Sequence, residues 1–319
     1  MNARPAQATA FAPASVGNVG VGYDLLGHVI EGPGDRVTAR RIEQPGVRIA
    51  AISGTVTDLP LAAEDNTAGR AVISLLEAHD RKLGVELHIE KGIPLGSGLG
   101  GSAASATAAV VAVNALLKRP LPHKALYPHA LAGESVASGS LHGDNVGPQL
   151  LGGLVLATPD RLVPIPVPAG LHAAVIHPHL RINTRDARRV LDRHYDIDTI
   201  VAQQTHLSLV LAGCFRDDLG LIRAGLSDVL VEPHRMALIP GFEAVQQAAL
   251  KHGAMGASIS GAGPSVFAWF DARPRAEAAA GHMKQAFIAQ GIEADALVSP
   301  VDAPGARLID DENSEQQAP

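Results

Sequence analysis

Between residues 84 and 117 a strand, a glycine loop and a helix that is apolar on every side follow one another without interruption. The strand VELHIEK puts Val85, Leu87 and Ile89 on one face and Glu86, His88 and Glu90 on the other, which is the alternation of a half-buried strand. The loop GIPLGSGLGG follows, and then an Ala/Val-rich helix from Ser102 to Leu117. With no polar face, that helix must be buried among other elements. Ser105, Thr107 and Asn114 interrupt the apolar run, so it does not read as a membrane span. Covering a helix on all sides needs a layered domain, and 319 residues are enough for two domains with real cores. Hydrophobic residues reach 46% and charged ones only 18%, a globular balance.

The segments flanking this run read as an α+β chain. Residues 36–42 and 47–52 alternate like strands, and Asn66 caps an expected helix with Val72, Leu75, Leu76 and Leu83 at helical spacing. After the buried helix, RPLPHKAL is a turn before a second helix reaching about Ser138; LHGDNVGPQ then reads as a polar loop and LLGGLVLAT as a buried strand. Pro164, Pro166 and Pro168 oppose ladder pairing in a central strand, which puts a domain boundary at 165/166. Beyond it come a strand at 172–176, helices from about Thr184 to Ala224, a helix from Phe242 to His252, two short strands GASIS and SVFAWF about a GAGP turn, a helix from Pro274 to Gln290, and a strand near 294–301. This β-α-β-β-α-β order is ferredoxin-like, with extra helices in the first crossover. Residues 304–319 end in DDENSEQQAP and are expected to form a disordered tail.

Several function classes are excluded by charge and composition. A net charge of −6 with 3% aromatics gives neither attraction to a phosphate backbone nor stacking platforms for bases. The single cysteine, Cys214, cannot form an intramolecular disulfide and reads as a small buried hydrophobe. The opening MNARPAQATAFAPAS lacks the layout of a signal peptide; the expectation is a cytoplasmic protein that uses no membrane. His177 and His179 form an H-x-H pair, but no further ligands share a zinc-like spacing with them.

The glycines of residues 96–101 carry the strongest chemical signal. They let backbone N–H groups point at an anion, and the helix that follows adds the partial positive charge of its N-terminus. Phosphate is the natural ligand; a structural glycine turn is the other reading of the loop alone. The literal G-x-G-x-x-G lacks the Rossmann context, because a second helical stretch follows the first where a strand should come. Walker A requires a lysine where Ser102 stands. Two more glycine loops, PASVGNVGVGYDLLG (13–27) and GASISGAGPSVFAW (256–269), lie near the start and in the second half.

Three such loops in this order and spacing resemble the GHMP small-molecule kinase family along nearly the whole chain. Pro13, Ala14, Ser15, Asn18, Gly20, Gly22 and Asp24 match the first motif of the branch that acts on L-homoserine, P-A-S-S-A-N-x-G-x-G-F-D, while Val16, Gly17 and Tyr23 depart from it. In the second, Gly101 replaces the first of a serine pair and Ser102 keeps the second hydroxyl. The resemblance implies a two-domain GHMP kinase fold, with an N-terminal ATP-binding α+β domain (1–165) and a C-terminal ferredoxin-like domain (166–303). It implies ATP over Pro94, Leu95, Gly96, Ser97, Gly98, Leu99, Gly100, Gly101, Ser102, Ala103 and Ala104, with Asn66 by the adenine. Mg²⁺ would sit on Ser102 and Glu134, hard oxygen ligands of the kind that ion takes. Read alone, Glu134 is also consistent with a solvated helix residue.

The same resemblance implies an acceptor, L-homoserine, whose side-chain hydroxyl takes the γ-phosphoryl group to give O-phospho-L-homoserine for threonine synthesis. Its ammonium calls for an anion and its carboxylate for cations. Asp24, beside Asn18, matches the first, and Arg188 and Arg235 the second, since guanidinium pairs with carboxylate through two hydrogen bonds. His142, Asn145 and Thr184 complete the site, with Asn145, Ser102 and Glu134 as the catalytic set. Singly, Asp24 also reads as a turn residue and either arginine as a surface charge. Mevalonate or a sugar is the alternative acceptor, and a silent metabolite sensor the alternative class. A homodimer is compatible with the sequence.

Overall fold

The computed structural model describes residues 5–139 and 141–309. Its elements form two sheets with helices packed on them. The first sheet has seven strands. β1 (Gln7–Gly17) and β2 (Leu26–Ile42) form a long antiparallel pair, bulged between Pro13 and Ser15. β3 (Gly46–Gly54), α1 (Thr67–His79) and β4 (Gly84–Lys91) then make a parallel crossover, with Asn66 accepting from the N–H groups of Ala68 and Gly69 as the cap of α1. The sheet order β11-β1-β2-β4-β3 is completed by β5 (Leu154–Ala157), which pairs with β2, and β6 (Leu162–Ile165), which pairs with β5. Pro164 therefore lies within a strand, but an edge strand, where a missing N–H is tolerated.

α2 (Gly101–Leu116) is buried at nearly every position. It packs on β1 and β2 with α1 and α3 (His123–Ser138) on its other sides, so its all-round apolar sequence and its place in the middle layer account for each other. The reading of residues 13–27 as a loop and of LHGDNVGPQ as a polar loop both need correction. Gln7–Gly17 is a strand buried on both faces over most of its length, which gives no alternation to read. Val146–Leu151 is a helical turn, α4, with five of its six residues buried. The expected tail also begins too early. Arg307–Ile309 forms β11 beside β1, because the chain crosses back to the first sheet through Gly153 N–H to Ala303 and Ala306 N–H to Gln149. Residues 310–319 lie outside the described residues.

The second sheet has the order β10-β7-β9-β8, antiparallel throughout. It consists of β7 (His172–Pro178), β8 (Gly256–Ile259), β9 (Val266–Phe270) and β10 (Ala294–Pro300), the ferredoxin-like arrangement expected from the element order. The first crossover holds α5 (Thr184–Arg189), α6 (Ile197–Arg216), α7 (Leu219–Gly225), α8 (Glu232–Arg235) and α9 (Phe242–Lys251). The helical stretch expected over 184–224 is thus three helices. α9 and α10 (Arg273–Ile288) cover the sheet over Phe242, Phe270, Met283 and Phe287.

The two sheets are joined by a buried polar contact. Trp269 of β9 donates its indole N–H to His28 Nε2 of β2 at 3.2 Å, while His28 Nδ1–H bonds the Val29 carbonyl at 2.8 Å. Complete burial lowers the His28 pKa to about 4, which keeps the ring neutral and its Nε2 an acceptor. Cys214 is buried, as expected, and burial raises its thiol to about 11. Among the described residues no helix is long and apolar enough to cross a membrane.

Candidate active site

All three glycine loops meet at one place. The turn after β8 donates Ser260 Oγ–H to the Gly98 carbonyl and Ser265 Oγ–H to the Ser97 carbonyl, both at 2.7 Å. Gly261 N–H reaches the Gly17 carbonyl at 3.0 Å, and Asn18 Nδ2–H reaches the Gly261 carbonyl at 2.7 Å. From the other side Ser15 N–H bonds the Leu99 carbonyl, Ser15 Oγ–H bonds Asn145 Oδ1 at 2.8 Å, and Gln149 Nε2 donates to Ser15 Oγ and to the Gly100 carbonyl. Closeness on this scale explains the glycine at 98. A side chain there would lie 2.5 Å from the Ser260 carbonyl, and its φ of +76° already favours glycine.

Beside these loops opens a cavity of about 440 Å³, lined by residues 94–98, 100–102, Asn66, Glu134, Asn145 and Thr184, and on its far wall by residues 181–185. The N-terminus of α2 points into it, with Gly100 in the left-handed region as its cap (φ 69°), so free backbone donors and a helix dipole face the space. Of the residues expected to line a nucleotide site, Leu99, Ala103 and Ala104 do not reach it. Their side chains are in the core, because every second position of the loop and the inward face of α2 must pack. Asn66 reaches the cavity wall, but its amide is already engaged, capping α1 through Oδ1 and donating to the Pro60 carbonyl through Nδ2.

Two carboxyl groups border the cavity region, Glu134 half-buried in its wall and Asp144 buried beside Asn145. Burial raises Glu134 to about 7, with Asp144 adding to the shift and the Ser102 hydroxyl bond and the Lys91 charge opposing it. Asp144 is likewise raised to about 7 by burial and by Asp24, against the N–H groups it accepts, Asn18 among them at 3.1 Å. A half-buried carboxyl hydrogen-bonded to a hydroxyl at the mouth of an anion cradle, Glu134 with Ser102, is a donor set of hard oxygens. It fits a divalent cation shared with phosphate oxygens. Among the described residues no group of three or more His, Cys, Asp and Glu could hold a metal by itself; His177 instead faces Ser265 Oγ at 3.2 Å and His179 meets Asp295 at 2.9 Å.

The acceptor candidates converge on the other side of Asn145. Loop 18–24 is strained, with Asn18 (φ 68°), Val19 (φ 42°) and Asp24 (φ 58°) all in the left-handed region, a cost of about 1–2 kcal/mol for a β-branched residue. Asn18 holds this shape. Its backbone N–H goes to Asp144, its amide N–H to Gly261, and its Oδ1 accepts from Asp24 N–H at 2.9 Å. The side chain expected to touch substrate is thus spent on bracing the loop.

Asp24 accepts two bonds from Arg188 Nη2 (3.0 and 3.1 Å) and one from Nη1 (3.2 Å), and lies 3.3 Å from His142 Nδ1. Arg235, 3% exposed, donates to the carbonyls of Ala187 (2.9 Å) and Gly261 (3.0 Å) and to the Tyr23 hydroxyl (3.4 Å). No carboxylate among the described residues is within ion-pair distance of it. Burial pulls its guanidinium below the usual value, with Tyr23 and Asp24 opposing. A buried cation held by neutral acceptors is a receptor for an anion.

Sequence reasoning missed a second buried cation. Lys91 Nζ–H groups go to Asp35, to the Gly101 carbonyl and to Ser105 Oγ, the last two at 2.7 Å, and Asp35 also accepts from the N–H groups of Gly92 and Ile93. All three lysine donors are matched under the glycine loop. Removing either partner would strand a buried charge, at about 3–5 kcal/mol. Lys91 closes β4 on the same face as Val85, Leu87 and Ile89, so strand alternation turns its side chain inward, where the start of α2 supplies two of its three acceptors.

A glycine-lined anion cradle, a helix N-terminus and a neighbouring pocket of opposed charges define a small-molecule phosphotransferase. Two family matches agree: the GHMP kinase N-terminal domain over residues 66–153 and the GHMP kinase C-terminal domain over residues 210–289. A homoserine kinase of Xanthomonas campestris pv. campestris (strain B100) is 58% identical over 303 residues, 95% of this chain and 94% of that one. The crystal structure of homoserine kinase from Cytophaga hutchinsonii superposes with a TM-score of 0.93 at 42% identity, covering 97% of this chain and 99% of that one. The crystal structure of L. major mevalonate kinase in complex with R-mevalonate shares the fold at a TM-score of 0.64 and 16% identity, over 92% of this chain and 96% of that one. The chain belongs to the GHMP kinase family, and within it to the homoserine kinases.

Proposed function

We propose that the chain transfers the γ-phosphoryl group of ATP to the side-chain hydroxyl of L-homoserine, giving O-phospho-L-homoserine, the precursor used in threonine synthesis. Arg235 carries this reading: a buried guanidinium without a carboxylate partner, set beside Asp24 and Arg188, matches an acceptor bearing both a carboxylate and an ammonium. The Asp24–Arg188 pair neutralises itself until that zwitterion arrives. Mevalonate has the carboxylate but no ammonium, and would leave Asp24 without a new partner.

In this reading the loop at residues 94–101 and the N-terminus of α2 hold the phosphates by backbone N–H groups, and Asn66 lies at the adenine end. Ser102 and Glu134 would hold Mg²⁺, which when bound neutralises phosphate charge. Thr184 and Asn145 face the transferred group, with His142 beside Asp24. The homoserine oxygen attacks the γ-phosphorus as the bond to the β,γ-bridging oxygen breaks, and its proton passes to phosphate oxygen without a dedicated base. A loose transition state places little demand on early deprotonation, so positioning and charge neutralisation carry the rate. Asp144 then serves to hold Asn18 and the first loop.

Release of ADP with L-homoserine, D-homoserine, mevalonate and galactose tests the assignment. L-Homoserine is expected to be the best acceptor by a wide margin. Faster turnover of mevalonate or galactose would overturn it, and no turnover with any acceptor would favour a metabolite sensor.

A further inference from the structure

Tyr23 stands where the first motif of related kinases has phenylalanine, and its ring is close to both acceptor-side arginines. The Arg235 guanidinium carbon lies 5.1 Å from the ring centre and that of Arg188 5.6 Å. Both are within the range of a cation–π contact. The hydroxyl accepts from Arg235 Nη2 at 3.4 Å. Two like charges are thus brought to one pocket with an aromatic face and a phenol oxygen between their otherwise separate supports, Asp24 for Arg188 and two backbone carbonyls for Arg235.

We propose that Tyr23 is a positioning residue for acceptor recognition. Its ring screens the two guanidinium groups from each other, and its hydroxyl fixes the orientation of Arg235 toward the substrate carboxylate. The ring is half-buried, next to Asp24 in the strained loop that Asn18 braces, so its place does not depend on substrate. The added oxygen gives this chain one more acceptor for Arg235 than phenylalanine supplies. A side chain acting through Arg235 affects how tightly the carboxylate is held. Tyr23 itself does not line the cavity beside the glycine loop where the phosphates are proposed to bind.

This inference rests on L-homoserine being the acceptor, so the first measurement is turnover of L-homoserine by the unaltered enzyme; its absence defeats the acceptor assignment and with it this proposal. With turnover present, Tyr23→Phe and Tyr23→Leu are compared for KM of homoserine, KM of ATP and kcat. Loss of the hydroxyl should raise KM for homoserine by about three- to tenfold, and loss of the ring as well by about ten- to a hundredfold. KM of ATP should stay within about twofold. The same Tyr23→Phe change made in an Arg235→Leu background should have no further effect on homoserine KM, because the group it aims is gone. Unchanged homoserine KM in Tyr23→Phe, an equal effect in both backgrounds, or a parallel rise in KM of ATP would each overturn the positioning role. Tyr23→Phe keeps the ring and the volume, so the test stands even where Tyr23→Leu fails to fold.

Discussion

The nucleotide side of the site and the acceptor side are built from different materials. The first is a continuous stretch, residues 94–102, whose working groups are backbone N–H donors fixed by glycine and by the start of α2. The second is assembled from side chains of residues 18–24, 142–145, 184–188 and 235, held by bonds between segments far apart in the chain. A backbone cradle has few parts that a substitution can delete. A pocket of side-chain charges can be altered one residue at a time, and this is where substrate choice is expected to reside.

Glu134→Gln attacks the carboxyl proposed as a metal ligand on the nucleotide side. It keeps shape and removes charge, so kcat should fall by about a thousandfold with little change in folding, and excess Mg²⁺ should recover part of it. Wild-type turnover at every magnesium concentration would show that Glu134 takes no part. Arg235→Leu breaks the other side: KM for homoserine should rise by about a hundredfold while KM for ATP holds. If both constants move together in steady-state kinetics, the two sides are not separable.

Asp144→Asn sits at the border between them. Removing a positioning carboxyl should cost less than about tenfold in kcat, whereas removing a general base would cost about 10²–10⁴ and abolish the acid limb of the pH profile. The larger loss, with folding and binding intact, would replace the base-free mechanism but leave the kinase standing.

Glu232→Gln should have the smallest effect, and on stability alone. Glu232 lies in α8 with Arg235 and bonds Gln246 at 2.7 Å; burial raises it from 4.5 to about 7, with Asp228 adding and the Ser258 and Gln246 bonds opposing. The folded chain therefore keeps a proton there that the unfolded chain has released, so stability is fully present below about pH 4.5 and falls as the pH rises through about 7. The glutamine variant should melt a few degrees above wild type at pH 8 and converge with it at pH 5. A constant gap across that range would mean that the carboxyl does not titrate there.

How much could be read from the sequence follows the same division. The glycine loops, α2 and the ferredoxin-like order are written in contiguous patterns, where backbone freedom, all-round apolarity and element order each leave a mark. Asp24, Arg188 and Arg235 could be picked out only through family resemblance, since nothing local distinguishes a bidentate partner from a surface charge. Alternation along β4 puts Lys91 on the inward face, but its pairing with Asp35 left no signal, because the two residues are far apart in sequence and meet only when β2 and β4 pair. Nor could Asn18 be recognised as a brace, which depends on contacts with Asp144 and Gly261.

The last strand, β11, gives the order of synthesis a physical meaning. Residues 303–309 are attached to Gly153, Gln149 and β1, and Gln149 is the residue whose amide ties Ser15 to the Gly100 carbonyl beside the cavity. The second sheet is thus inserted within the first rather than appended to it. On the ribosome, the first sheet keeps an open edge until residues 303–309 have emerged, so final locking of the phosphate cradle waits for them, and a chain stopped after residue 302 would present that edge to its neighbours.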